Sequence, residues 1–149
     1  GTTNGAGWQA ALYATAALGN AAVVANTTLS YTDQDGNAGN TATFQAVTGD
    51  QAPATPVIGT WMPFTLAAGD SGIRSIQSIT LGTSYVSGSM SLILYRVLGS
   101  IPVTVATFPQ TVDFGNPGVK IWPNTCINFL QVGTGTAANL IGSYTIIER

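Results

Sequence analysis

The side chains that usually carry acid–base or nucleophilic chemistry are scarce in this chain of 149 residues, which has no histidine and only six acidic and four basic residues. Without histidine, no Ser-His-Asp or Cys-His arrangement can be built within it, and the single lysine, Lys120, leaves little for a Ser-Lys pair. A glycosidase needs only two carboxylates. The candidates are Asp33, Asp35, Asp50, Asp70, Asp113 and Glu148, and the first four stand beside Gly or Gln in stretches that read as turns. Turn formation accounts for them, so no catalytic residue is assigned and no enzyme is expected.

Asp33-x-Asp35-x-Asn37 has the alternating oxygen spacing with which a calcium loop opens, because every second residue can converge on a hard cation. The pattern then departs: Ala38 and Phe44 stand where an EF-type loop has glycine and a bidentate glutamate. A hairpin turn explains the same residues, and neither metal nor cofactor is implied. Asn26-Thr27-Thr28 matches a glycosylation sequon but falls inside a predicted strand, and no glycine-rich phosphate cradle follows a strand and opens a helix. Cys126 is the sole cysteine, which excludes an internal disulfide and a thiolate metal cage. Within the apolar run Cys126-Ile127-Asn128-Phe129-Leu130 it is expected to be a small buried hydrophobe.

The charge balance narrows the partners. A net charge of −2, with Arg74, Arg96, Lys120 and Arg149 far apart, offers no electrostatic footprint for nucleic acid or an anionic membrane. The most membrane-like stretch, residues 10–25, contains Thr15, Gly19 and Asn20 and falls short of the roughly 20 apolar residues a span needs. No basic leader with an apolar stretch opens the residues read here. With 7% charged residues and 45% hydrophobic ones, the exterior must be covered by Thr, Ser, Asn, Gln and Gly, or by other subunits. That suits an assembly component or an extracellular β-protein.

The elements follow from periodicity. Residues 1–7 are small and polar with three glycines and are expected to form a flexible arm, followed by one domain over residues 8–149. Trp8, Ala10, Leu12, Ala14, Ala16 and Leu18 alternate with positions that include Gln9, Tyr13 and Thr15 in the manner of a strand, while the alanine content leaves a helix open over residues 8–18. Val23, Ala25, Thr27, Leu29 and Tyr31 share one face of a half-buried strand. It runs into Asp35-Gly36, a type I′ hairpin signal, and a strand returns over residues 40–47. Residues 48–56 form a loop, and Pro63 marks residues 58–66 as an edge or bulged strand.

Residues 73–81 read as a strand, and residues 90–98, apolar on both faces except at Arg96, read as a central one. If Arg96 is buried, it must pair with a carboxylate such as Asp113 or reach solvent along its stem. Further segments lie at residues 101–108, 120–122, 125–132 and 139–148. About eight to ten strands separated by turn chemistry predict an all-β, single-domain β-sandwich, jelly-roll-like in form.

Residues 72–81 (GIRSIQSITL) and 91–102 (SLILYRVLGSIP) resemble stretches of small virion structural proteins of tailed bacteriophages, and the hairpin at residues 29–39 (LSYTDQDGNAG) is similar too. What this resemblance implies is a decoration, or cement, protein on the outside of the phage head. Its partners would be the major capsid protein and copies of itself, commonly as a trimer. The residues expected to reach a neighbour are Gly1, Thr2, Thr3 and Asn4 of the arm, with Trp8 and Trp122 as large aromatic side chains suited to an interface. The alternative is a carbohydrate-binding or adhesive β-sandwich of a phage fibre or secreted protein, which predicts exposed aromatics beside Asn, Asp or Gln.

Overall fold

The computed structural model describes residues 4–19, 24–25, 27–44, 51–52, 56–99 and 125–128. The chain packs as two compact units, residues 1–119 and 120–149. The first is all-β, without a helix among the described residues. Its strands are β1 (Gln9–Gly19), β2 (Val24–Ala25), β3 (Thr28–Asp33), β4 (Asn40–Phe44), β5 (Gln51–Ala52), β6 (Trp61–Thr65), β7 (Ile73–Thr80) and β8 (Ser87–Tyr95). Six of them form one curled antiparallel sheet in the order β7-β3-β4-β6-β1-β8, and β2 pairs with β5 in a separate ladder. The described residues form eight strands, six of them in one sheet, against the eight to ten expected in all, and residues 101–108, 120–122 and 139–148 lie outside the described residues.

The alternation in residues 8–18 is realised as β1, not as a helix. Ala10, Leu12, Ala14 and Leu18 enter the core with Leu29, Tyr31, Ala42, Phe44, Met62, Phe64 and Ile73. The small side chains leave room inside the curl for the aromatic ones, and Phe44 and Phe64, opposite each other across β4 and β6, stack at 4.7 Å. The strand expected through Val23 and Tyr31 is divided: Val24 and Ala25 belong to β2, while Leu29, Tyr31 and Asp33 form the buried face of β3. Thr27 is fully buried, and its hydroxyl has no hydrogen-bond partner among the described residues.

Two strands sit differently from expectation. β6 lies inside the sheet between β4 and β1 despite Pro63. Among the described residues its ladder with β4 pairs Phe64 with Phe44 and Thr65 with Thr43, and Pro63 pairs with Ala11 of β1. β8, expected at the centre, lies at the end of the sheet order. Only β1 pairs with it among the described strands, leaving Leu92 and Leu94 at 38% and 51% exposure.

The sheet is drawn together where the residues before β1 meet those before β7. Ala6 bridges Gly72, Gly7 N–H donates to the Ser71 carbonyl at 2.9 Å, and Ile73 N–H donates to the Trp8 carbonyl at 3.0 Å. The backbones approach so closely that a Cβ on Gly72 would lie 2.2 Å from the Gly5 carbonyl oxygen, and Gly5 itself has a φ of +80°. Asn4 to Gly7, expected as the end of an arm, are thus hydrogen-bonded into the sheet; residues 1–3 lie outside the described residues.

Candidate binding surface

Asp33 ends β3 and organises the hairpin that follows. The β3–β4 ladder closes at Tyr31 opposite Asn40, so residues 32–39 form a wider loop than a two-residue type I′ turn. Asp33 Oδ1 accepts the N–H groups of Asp35 and Asn37 at 2.8 and 2.9 Å, and Oδ2 accepts the side-chain amides of Asn37 and Asn40 at 2.8 and 3.2 Å. Burial pushes the Asp33 carboxyl up, but these donors outweigh it and hold the group below its ordinary value. The oxygen spacing that suggested calcium is therefore turn chemistry: N–H groups already occupy both oxygens. Among the described residues, no three His, Cys, Asp or Glu side chains gather as a metal site.

From the same loop, Gln34 reaches the seam. Its Oε1 accepts the N–H groups of Ser71 and Gly72 at 2.9 and 3.2 Å. Beside it, the fully buried Tyr31 donates its hydroxyl to Asp70 Oδ2 and accepts the Ala67 N–H at 2.9 Å. Burial and the bond to Asp70 push the Tyr31 phenol up to about 12, against the Ala67 N–H, which lowers it. Asp70 N–H closes the turn onto the Ala67 carbonyl at 3.1 Å. A core phenol thus fixes a surface carboxylate in place.

On the outer face of the sheet, Tyr13 pairs with Trp61 and Gln9 pairs with Tyr95. Trp61 and Tyr95 meet edge to face at 4.8 Å, and burial pushes the Tyr95 phenol up against an opposing hydrogen bond from Trp61. Next to them a groove of about 350 Å³ is lined by Gln9, Pro63, Thr65, Asp70, Ser71 and Tyr95, among others. Arg96 is exposed, so it needs no buried partner; it lies over Gly7, where an added Cβ would stand 3.1 Å from Nε.

Of the residues expected at an interface, Asn4 is exposed and its Oδ1 accepts the Ala6 N–H at 3.3 Å, while Trp8 is half-buried at the seam. Gly1, Thr2, Thr3 and Trp122 lie outside the described residues, as do Asp50, Asp113 and Glu148. Thr125 to Asn128, expected to open a strand, carry no regular structure, and Cys126 is exposed instead of buried, because these four residues form no strand to turn the thiol inward. The sequence does not single out Gln9 or Tyr95, and Asp70, one of its six carboxylates, reads there as a turn residue. Alternation places Gln9 on the outer face, but its meeting with Tyr95 depends on the β1–β8 register, which no local signal encodes. No family model matches the chain, nor does any curated protein or solved structure.

Proposed function

We propose that this chain is a structural protein of a virion, a decoration protein that binds the outside of a phage head and bridges capsomers, with the major capsid protein and copies of itself as partners. In this reading the curled sheet is one layer of a jelly-roll-like β-sandwich. The observation that carries it is an apolar surface almost free of charge. β8 contains no charged residue and no proline over its nine positions, and Val57, Ile58, Val86, Leu94 and Val97 are 67%, 67%, 82%, 51% and 61% exposed.

Solitary soluble proteins blunt exposed strands with lysine, proline or a cover, whereas β8 presents uncharged aliphatic side chains that another protein could cover. An uncharged surface is well suited to burial on assembly. Desolvating an unpaired ion costs several kcal/mol, whereas each 100 Å² of apolar area removed from water contributes about 2.5 kcal/mol before ordering costs.

The test is to add the purified chain to virus-like shells of its producer and count bound copies by image reconstruction. Symmetry-matched, saturable occupancy is expected. A chain that stays in solution at all shell concentrations would overturn the reading.

A further inference from the structure

The groove beside Tyr95 has the composition of a ligand site. Gln9 and Tyr95 stand opposite each other across the β1–β8 ladder and therefore share one face of the sheet. Both line the groove together with Thr65, Asp70 and Ser71. The Gln9 amide and the hydroxyls of Thr65 and Ser71 make no hydrogen bond among the described residues. Asp70 is engaged through Oδ2 alone, by the Tyr31 hydroxyl, which the Ala67 N–H holds in turn. The carboxylate is thus positioned from the core side, and its second oxygen is unengaged among the described residues. Trp61, edge-on at 4.8 Å, braces the Tyr95 ring.

We infer that this groove binds a neutral sugar residue of a glycan. A carboxylate oxygen, an amide that both donates and accepts, and two hydroxyls match the alternating donors and acceptors of neighbouring sugar hydroxyls. The lining is polar for the most part, and the Tyr95 ring and Pro63 offer a small apolar contact for the C–H face of a pyranose. Asp70 is the sole charged residue of the lining, so an anionic ligand is disfavoured. The core-side anchor reduces the ordering cost of binding. A groove this open gives weak affinity, about 1 mM for a single sugar. The inference stands apart from attachment to a capsid, and neither requires the other.

The experiment titrates the ¹⁵N-labelled full chain with the methyl glycosides of glucose, galactose, mannose and N-acetylglucosamine, each up to about 100 mM, while backbone and side-chain amide resonances are followed. Saturable shifts of the Gln9 side-chain amide and the Ser71 backbone amide are expected with at least one sugar. Gln9→Ala, on an outer face and outside the core, should weaken that response about fivefold or more. Thr41→Ala, exposed on β4 and absent from the groove lining, should leave it unchanged. Two results would overturn the site: no saturable shift with any of the four sugars, or an equal response in Gln9→Ala with its unfolding midpoint preserved. Shell attachment is not read in this experiment, so its failure leaves the decoration role untouched.

Discussion

At Asp33 four N–H groups converge on one nearly buried carboxylate, and the loop depends on its charge. Because the folded state holds this carboxyl below its ordinary value, the linkage has a definite sign. Its stabilising contribution is fully present above the unfolded value of about 3.9 and is lost as pH falls through the depressed one. Urea unfolding followed from neutral pH downward should therefore show an acid limb that is flattened in Asp33→Ala, which is also less stable at neutral pH. Thr27 predicts the opposite direction. Its buried hydroxyl has no partner among the described residues, so the near-isosteric Thr27→Val exchanges an unmet polar group for a methyl and should raise stability by about 1 kcal/mol in the same assay. A Thr27→Val protein with a lower midpoint would show that the hydroxyl is satisfied after all.

Among the elements, the seam between the residues before β1 and those before β7 matters most, because it ties together strands separated by β3, β4 and β6 in the sheet order. It rests on backbone contact that tolerates no Cβ at Gly72, where the nearest atoms are the Gly5 carbonyl oxygen at 2.2 Å and the Gly7 nitrogen at 2.7 Å. These are backbone atoms, so no rotamer change relieves the clash. Gly72→Ala should cost about 1–3 kcal/mol and remove hydrogen-exchange protection at the Gly7 and Ile73 amides, while amides of the β3–β4 ladder keep theirs. Uniform loss across all strands would instead mean that the seam unfolds only with the whole sheet. At this scale the sequence was informative about strands: β1, β3, β4 and β7 follow from alternation and turn residues. It was silent on neighbours, since an apolar run such as Leu92-Ile93-Leu94 reads alike at the centre and at the edge of a sheet.

For the whole molecule, the determining property is a surface with few charges and many exposed aliphatic side chains. If that surface serves assembly, one charge placed on it should abolish attachment without harming the fold. Leu94, half exposed on β8, is the position to change. Leu94→Lys should keep its unfolding midpoint within about 0.5 kcal/mol of the parent and fail to co-sediment with shells that the parent saturates. Undiminished co-sedimentation would place the contact on another face.

Composition and periodicity by themselves determined that the described fold is all-β, that Thr27, Leu29 and Tyr31 face inward, and that the Asp33 region is a turn. These are local properties, since alternation and turn propensity depend on residues adjacent along the chain. Only the tertiary structure decided that β8 is last in the order of the described strands, that Pro63 sits inside the sheet, that Asn4 to Gly7 join the seam, and that Gln9, Asp70 and Tyr95 line one groove. Those outcomes depend on register and on which strands pair across long separations in the chain. Burial of a shared core selects them, and no single segment contains that information.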